Sequence, residues 1–533
     1  MFFMIFVITA FFLLFGYIFY GRFLEKVFGI SNDNITPAER LNDGADYCPT
    51  HPAVLLGHHF SSIAGSGPIV GPITAASIFG WLPAVIWCII GSVFIGGPHD
   101  FGSLTASMRH DGKSIGEVIG RWIGLRARKL MIVFTSCTLI LICACMLVFS
   151  TQTFVMDPVV GFVSCLYILL AIISGLLIYR FNVNLIVITV VMLFIIGFCA
   201  VCGDSWPLIA GCFTHSSDWW NAFLAIYVCL AALLPVWLLL QPRDYLASYF
   251  LYFAAAIGAI GMIFGSSLNS GELPAIVQGR KLFGFIGIPM WPMLFIIVAC
   301  GAVSGYHAVV GSGTTSKQIA REKDALPVAY GAMLIESLIA VIAIGTLMIT
   351  GKINAGGAVG TFAEGFGQFC TIVGLSPELG MRLGAIAVNC FMLTSLDTTV
   401  RRVRYQIQEL SNYRINRYIA TVATIAVSLA IVYVKAALPN GTPIPIWGMI
   451  WPIFGAANQL VAALTILAVA IWLIRSLKNN ATFLLIPFWF MITTSLAGFV
   501  IYIRGYLLGK HPNYVIAAIC TALFIIALFI TFE

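Results

Sequence analysis

The sequence GHHFSSIAGSGPIVGP, residues 57–72, is a polar, glycine-rich stretch inside an otherwise apolar chain. Gly and Pro weaken a helix, and Pro68 and Pro72 each remove a backbone donor. Freed N–H and C=O groups cannot face lipid, so such a segment must be buried in protein or line a wet cavity. We therefore predict an interrupted membrane helix at this position.

Composition places this segment in a membrane protein. The 533 residues are 60% hydrophobic and 9% charged, with a mean hydropathy of +1.00. A soluble domain carries about a quarter charged residues, so the composition indicates a polytopic protein in a lipid bilayer. The formal net charge of +7 is attributed to loops, and no nucleic-acid partner is predicted. Cys202 and Cys212 flank one loop and could form a disulfide.

Apolar segments long enough to span a bilayer recur along the whole chain. A span needs about 20 mostly apolar residues, and on this criterion we predict an all-α fold of about fifteen membrane helices. They are residues 2–20, 52–72 (broken), 80–108, 128–150, 158–178, 183–203, 221–241, 245–266, 291–316 (broken), 326–349, 381–408, 417–435, 447–474, 483–503 and 513–531. The first of these segments, residues 2–20, lacks the basic region and the cleavage site of a signal peptide, and is predicted to be a retained anchor.

The distribution of basic residues predicts the topology. With the N-terminus outside and the spans alternating, about three-quarters of the 28 Lys and Arg residues fall in cytoplasmic segments. This bias predicts an N-terminus outside, a C-terminus inside and an odd number of spans. Arg401, Arg402 and Arg404 are interpreted as a topology signal at the cytoplasmic end of one span.

A second segment echoes the first. Gly305-Tyr306-His307 leads into Gly311-Ser312-Gly313-Thr314, as Gly57-His58-His59 leads into Gly65-Ser66-Gly67-Pro68. Two interrupted helices at matching positions of two halves are the sequence pattern that points to the central site of a transporter. The alternative is a chance similarity between two Gly/Ser-rich stretches.

Acidic residues inside predicted spans are candidate functional groups, because a buried carboxylate is costly in a membrane. Asp100 follows His99 and is a candidate for proton exchange; the alternative is a structural partner for Arg109 or for open backbone N–H groups. Glu336 lies deeper in an apolar helix, as a proton carrier or a partner for a neighbouring helix. Arg243 and Asp244 stand between two spans and are predicted to pair at the membrane face.

The segment TSLDTTVRR, from Thr394, concentrates hydroxyls and one carboxylate within two helical turns. Oxygen donors suit a small hard cation or a hydrogen-bond network. Thr394, Asp397 and Thr398 share one helix face by their spacing. The alternative is that Ser and Thr simply bridge neighbouring helices, as Asn458 and Gln459 are also expected to do.

Four histidines raise the question of a metal. His58, His59, His99 and His307 come from three segments, and the adjacent pair could chelate together only where the helix is unwound. Without Cys or an HExxH spacing, hydrogen-bonding or proton-handling histidines are the preferred interpretation, so no metal is predicted.

Five motifs together resemble the carbon starvation protein A (CstA) family. They are GHHFSSIAGSGPIVGP, GGPHDFGSLTASMRHDGKSIGEVIG, SGYHAVVGSGTTSKQIAREKDALPVAYGAMLIES, LTSLDTTVRR and WPIFGAANQLVAA, between about residues 33 and 475. The resemblance implies a bacterial inner-membrane transporter, not an enzyme, that is linked to starvation and imports peptides or pyruvate with protons. It also implies a LeuT-like inverted repeat with two broken helices plus accessory helices. Family members read Gln-Asp where this chain has His99-Asp100, so only Asp100 carries over.

The resemblance divides the chain, which forms one membrane domain, into three parts. Residues 1–51 form an anchor helix and a cytoplasmic loop, residues 52–475 form the transport core, and residues 476–533 form C-terminal accessory helices. No cofactor is expected, and H⁺ or Na⁺ is the coupling ion. The expected substrate-binding residues are His58, His59, Ser61, Ser62, Gly65, Ser66, Gly67, Tyr306, His307, Gly311, Ser312, Gly313 and Thr314. The expected ion-coupling residues are Asp100, Thr394, Ser395, Asp397, Thr398 and Thr399.

Two other classes of function stay open on the sequence. An intramembrane metal-binding enzyme would use the His, Asp and Glu residues and would contain bound zinc. A nutrient-sensing receptor would bind without transporting, and no attached soluble signalling domain is visible in the sequence. The oligomeric state is not predicted.

Overall fold

The computed structural model describes residues 1–44, 46–265, 268, 271–437, 443–509 and 512–532. Within these ranges, 11 helices are long and apolar enough to cross a membrane, or 12 when one bent pair counts as a single span. The multi-pass membrane protein predicted from composition is therefore confirmed.

The first half of the chain contains twelve helices in the described ranges. They are α1 (Phe2–Phe28), α2 (Pro37–Arg40), α3 (Pro52–Ile63), α4 (Gly67–Phe79), α5 (Trp81–Met108), α6 (Ile115–Trp122), α7 (Leu125–Met156), α8 (Pro158–Tyr179), α9 (Leu185–Cys202), α10 (Pro207–Phe213), α11 (Ser217–Leu233) and α12 (Leu240–Phe264).

The second half adds ten helices and one small strand pair in the described ranges. They are α13 (Met290–Ile297), α14 (Ala299–Ala302), α15 (Gly305–Gly311), α16 (Glu322–Thr350), α17 (Gly357–Thr371), α18 (Pro377–Leu410), α19 (Arg417–Tyr433), α20 (Ile446–Ser476), α21 (Thr482–Leu508) and α22 (Tyr514–Phe532). Strands β1 (Lys435–Ala437) and β2 (Pro443–Pro445) pair antiparallel.

The predicted count of about fifteen spans stays a prediction. It would require α11 and α19, which are apolar but shorter, and the interrupted segment 290–311 to cross the membrane as well. The span predicted at 221–241 is wrong at its end, because α11 stops at Leu233 and the chain turns before α12 begins.

The interrupted helix predicted at residues 57–72 exists, although the break is narrower than expected. Helices α3 and α4 meet at an angle of 43° across Ala64, Gly65 and Ser66. Pro68 lies in the first turn of α4, where its missing N–H costs nothing, and Pro72 is accommodated inside the helix. The predicted end at residue 72 is therefore wrong, since α4 continues to Phe79.

The second interruption falls in the echo segment. Helices α13, α14 and α15 follow one another with breaks at Val298 and at Val303–Ser304, and α15 ends at Gly311. In both segments a Gly-Ser-Gly sequence thus comes at the end of a short helix that carries a histidine.

The long helices α18 and α20 form the interior around these breaks. Helix α18 packs against α7, α17, α12 and α3, and α20 packs against α21, α7 and α15. Asn458 of α20 accepts a hydrogen bond from the Tyr306 N–H (2.8 Å) and donates one to Ser304 Oγ (3.0 Å). Gln459 donates to the Phe295 carbonyl (2.6 Å), so both amides bridge helices as predicted.

Candidate functional site

Every residue predicted for the substrate or ion site is buried. The two interrupted segments lie against each other, since a Cβ built on Gly311 would be 3.9 Å from Cε1 of His59. A Cβ on Gly65 would approach Ser395 Oγ to 2.6 Å, so glycine here lets the first break touch α18. The fold therefore brings the predicted residues of α3, α15 and α18 together.

Asp100 is the centre of one buried network. Its Oδ1 is 2.7 Å from His99 Nδ1, and its Oδ2 is 2.8 Å from His307 Nδ1. The opposite ring nitrogen of His307 lies 3.2 Å from Glu336 Oε2. Helices α5, α15 and α16 are thus joined by two carboxylates and two imidazoles, which we call the Asp100 network. The alternative that Asp100 pairs with Arg109 is wrong. Arg109 instead donates to Glu322, from Nε to Oε1 (2.5 Å) and from Nη2 to Oε2 (2.9 Å).

Arg243 is the centre of a second buried network. It donates to Asp244 Oδ1 from Nε (3.0 Å) and Nη2 (2.6 Å), and from Nη1 to Asp397. Tyr227 donates to Asp397 Oδ2 (2.7 Å), and His58 Nδ1 is 2.7 Å from Asp244 Oδ2. The predicted Arg243–Asp244 pair exists and both side chains are fully buried in the protein, while its position at the membrane face stays a prediction. We call this set the Arg243 network.

The hydroxyls of α18 reach the Arg243 network and the first helix break. Thr394 donates to Asp244 Oδ1 (3.0 Å) and Asp397 accepts from Arg243, so Thr394 and Asp397 both face the Arg243–Asp244 pair, as their shared helix face predicted. Ser395 Oγ lies 3.5 Å from the Ser62 carbonyl. Thr399 donates to the Ser395 carbonyl (2.5 Å). Thr398 Oγ1 is buried without a hydrogen-bond partner among the described residues.

The other predicted residues occupy the surroundings of the breaks. Ser61 donates to the Asp244 carbonyl (2.9 Å), and Tyr306 donates to the Ser395 carbonyl (3.2 Å). Ser66 lies 3.3 Å from Met146 Sδ, and Ser312 Oγ accepts the Ile115 N–H (3.0 Å). Ser312 therefore holds the start of α6 and lies apart from the two networks.

The charges of the two networks do not balance unless histidines or carboxylates bind protons. Four carboxylates, those of Asp100, Glu336, Asp244 and Asp397, face a single permanent cation, Arg243. Three imidazoles touch these carboxylates, those of His58, His99 and His307. Because uncompensated charge is costly in a dry interior, protons on the histidines or carboxylates set the net charge of the site.

Several polar atoms next to the breaks have no hydrogen-bond partner among the described residues. They are His59 Nε2, Ser62 Oγ, His99 Nε2, Thr314 Oγ1, Thr398 Oγ1 and Glu336 Oε1. A buried donor or acceptor without a partner costs about 1–3 kcal/mol, so such a group favours a polar ligand. The region around the breaks is therefore chemically suited to a small polar substrate.

The histidines do not converge on one set of metal ligands. His58 binds Asp244, whereas the adjacent His59 lies 2.8 Å from Thr315 Oγ1 on another segment. Among the described residues, no group of three or more His, Cys, Asp or Glu is arranged to hold a metal ion. Cys202 and Cys212 are each free thiols, so the disulfide that the sequence allowed is not formed.

Sequence patterns do not reveal the buried roles of three residues, Arg243, Asp244 and Tyr227. Arg243 and Asp244 are predicted at a boundary, and nothing in the sequence singles out Tyr227. The sequence does contain a signal for Arg243 and Asp244. An Arg-Asp pair next to an apolar run of this length is costly unless both charges have partners. No such signal marks Tyr227, since its role depends on the contact between α11 and α18.

Interrupted helices with buried, interacting ionisable groups inside a multi-pass bundle are typical of membrane transporters. The family model described as carbon starvation protein CstA matches residues 1–353 and 346–498. The chain belongs to the CstA family.

Curated relatives support the same class. The peptide transporter CstA of Escherichia coli is 31% identical and covers 91% of this chain and 79% of its own. The peptide transporter CstA of Bacillus subtilis is 32% identical, and the match covers 94% of this chain and 90% of the relative. The pyruvate/proton symporter BtsT of E. coli is 35% identical over 62% of this chain and 46% of its own. The protein is a membrane transporter and not an enzyme.

Among solved structures, a mutant form of the Eremococcus coleocola manganese transporter covers 92% of this chain and 97% of its own. Its TM-score is 0.40 at 12% identity.

Proposed function

We propose that this transporter is a secondary active importer of small carboxylates such as pyruvate, or of peptides, driven by protons across the cytoplasmic membrane during carbon starvation. The names of the relatives supply the two substrate classes. The N-terminus lies outside and the C-terminus inside. Residues 52–475 form a core of LeuT-like inverted repeats, residues 1–51 an anchor and loop, and residues 476–533 accessory helices.

The observation that carries the proton as coupling ion is the charge of the two networks. Four buried carboxylates and one guanidinium leave three negative charges when the three contacting histidines are neutral. Each proton bound reduces this excess, so proton binding and release change the electrostatic energy of the helix junction. Asp100 is the central coupling residue, because it contacts two histidines on two different helices.

Sodium is the second candidate for the coupling ion. Its support is the close approach of α18 to the first break, where Ser395 Oγ lies 3.5 Å from the Ser62 carbonyl and Thr398 Oγ1 is without a partner among the described residues. Hydroxyl and carbonyl oxygens are the ligands that hard cations prefer. A carboxylate substrate would bind at the N–H groups and hydroxyls beside the two glycine-rich breaks.

The test is uptake of labelled pyruvate into proteoliposomes with and without an inward proton gradient, with dipeptides as competitors. The proposal expects accumulation only with the gradient, and no requirement for sodium. Accumulation that follows a sodium gradient at constant pH would replace the proton by Na⁺. Transport of a labelled dipeptide without pyruvate transport would select peptides, and binding without accumulation of either would overturn the importer.

A further inference from the structure

Arg402 differs from the two arginines beside it on α18. Arg401 donates to the Ala231 and Leu234 carbonyls (2.8 and 2.6 Å), and Arg404 donates to the Ala232 carbonyl (2.8 Å). These two guanidinium groups therefore cap the end of α11. The Arg402 guanidinium has one long hydrogen bond, 3.3 Å to the Val310 carbonyl. It is only 4% exposed.

A second cation, the partly exposed Lys317, interacts electrostatically with Arg402. Lys317 Nζ stands over the rings of Tyr47 and Tyr405, at 4.9 and 5.2 Å from their centroids. Burial lowers the pKa of Lys317, the charge of Asp46 raises it, and the charge of Arg402 again lowers it. Among the described residues, no carboxylate oxygen lies within 4.0 Å of either cation.

Three carboxylates act on this pair at longer range, those of Asp46, Glu409 and Asp43, and the first two accept hydrogen bonds from other groups. Asp46 accepts a hydrogen bond from the Tyr405 hydroxyl (2.6 Å), and Glu409 accepts one from Ser114 Oγ (2.9 Å). Both still interact with Arg402 at longer range. A buried guanidinium beside a second cation and without a direct carboxylate partner is expensive, which suggests that Arg402 serves an anion.

The position of Arg402 connects it to the substrate site. Its Nη1 lies against Gly313, where a Cβ would collide with it, so the glycine of the second break makes this approach possible. Its Nε is buried without a hydrogen-bond partner among the described residues, as are those of Arg401 and Arg404, but those two arginines each donate a hydrogen bond of 2.8 Å or less through Nη, and Arg402 has only the 3.3 Å bond. A planar guanidinium with unused N–H groups matches a carboxylate, which it can bind through two parallel hydrogen bonds.

From this geometry we infer that Arg402, assisted by Lys317, forms an anion-binding subsite that receives the carboxylate group of the substrate beside the Gly311–Gly313 break. The inference rests on the proposed function for the identity of the substrate. It adds a binding role to the interpretation of Arg402 as a topology signal, which stays a prediction, while Arg401 and Arg404 have a structural role.

The first test requires no substrate. Removing an uncompensated buried charge is expected to leave the melting temperature of the purified, ligand-free protein equal or higher in Arg402→Met. The matched control, Arg404→Met, is expected to lower it, because a buried helix-end carbonyl loses its donor. A loss of stability in Arg402→Met as large as that in Arg404→Met would show a capping role and overturn the inference.

The second test measures binding and exchange without any ion gradient. Pyruvate and alanyl-alanine are each compared with the corresponding amide, as thermal stabilisation and as counterflow exchange in proteoliposomes. The wild-type protein should prefer the acid, and Arg402→Met should bind it roughly 30-fold or more weakly, because a buried charge pair is lost. Arg402→Lys should recover part of the affinity.

The outcomes separate this inference from the proposed function. Equal affinity of Arg402→Met and the wild-type protein for the acid, or no preference for acid over amide in the wild-type protein, would overturn the anion subsite. Acid-selective exchange that depends on Arg402 but shows no gradient-driven accumulation would support the subsite while contradicting the coupled importer.

Discussion

Asp100 illustrates how a single side chain connects the helices of the site. It is almost completely buried, and its two oxygens accept contacts from His99 on its own helix and His307 on α15. Through His307 the contact continues to Glu336 on α16. A proton added anywhere in this network changes the electrostatic attraction between α5, α15 and α16.

Replacing Asp100 by Asn tests its role in coupling. The amide keeps hydrogen-bonding capacity but cannot carry a charge, so we expect gradient-driven uptake to fall to the level of empty vesicles while the protein still folds. Proteoliposome uptake and size-exclusion profiles measure the two effects. Asp111→Asn is the control, because Asp111 is an exposed partner of Arg40 outside the site. Normal accumulation by the Asp100 variant would remove it as the coupling residue.

Arg243 tests the electrostatics of the second network. Arg243→Met leaves Asp244 and Asp397 buried without their shared cation, which we expect to cost about 3–5 kcal/mol of stability. The double variant Arg243→Met/Asp397→Asn removes one of the two stranded charges and should recover part of the loss. Unfolding in mixed detergent micelles measures both. Equal stability of the single variant and the wild-type protein would contradict the buried ion pairs.

The sequence reveals the residues of the site through their energetic cost, but it does not reveal their partners. Asp100 and Glu336 stand out because a carboxylate in an apolar run needs compensation. The sequence offers Arg109, nine positions further along the same segment, as a partner for Asp100, whereas the partners in the structure are the adjacent His99 and His307, which is 207 positions away. Only the packing of α15 against α5 brings His307 to Asp100, and no local pattern encodes that contact.

At the scale of elements, the two helix breaks depend on close contacts that glycine permits. A Cβ on Gly67 would lie 2.5 Å from Cys300 Sγ and closer still to Cys300 Cβ, so α4 and α14 touch at this point. A Cβ on Gly71 would collide with the Ile297 carbonyl. The first and second interrupted segments are therefore packed directly on each other near their breaks.

Gly67→Ala should separate these segments. We expect a lower melting temperature and reduced uptake, because the new methyl group overlaps Cys300. Cys300→Gly removes the opposing Cβ, so the double variant should regain stability, whereas each single variant should lose it. Gly197→Ala is the control, since Gly197 lies in α9 with no atom within 4 Å of a built Cβ. No difference between the Gly67 and Gly197 variants would contradict the close contact.

Hydropathy predicts most helices but misses features that depend on packing. Helix α17 (Gly357–Thr371) falls outside the predicted spans, because it is short and contains four glycines; it is nevertheless largely buried and packs against α18. Pro72 is expected to end a helix, yet α4 continues past it, because neighbouring segments enclose the freed backbone groups. Burial inside a bundle overrides both local signals.

At the scale of the whole molecule, the topology still rests on charge alone. About three-quarters of the 28 Lys and Arg residues fall on one side when the predicted spans alternate, which favours N-outside and C-inside. Part of this signal has another cause, because Arg401, Arg402 and Arg404 are buried and bind protein groups. A direct measurement of orientation is therefore more informative than a refined count of charges.

Two native cysteines report the orientation without engineered tags. Cys212 is exposed in a segment predicted to lie outside, and Cys48 is partly buried in the predicted cytoplasmic loop. A membrane-impermeant maleimide should label Cys212 in intact cells and Cys48 only after permeabilisation. Burial raises the pKa of the Cys48 thiol, with Asp43 and Asp46 acting in the same direction, so its labelling needs mildly alkaline buffer. Loss of labelling in Cys212→Ser or in Cys48→Ser shows which cysteine gives each labelling signal. Labelling of Cys48 in intact cells, with Cys212 protected, would reverse the topology and place the Arg402 region outside.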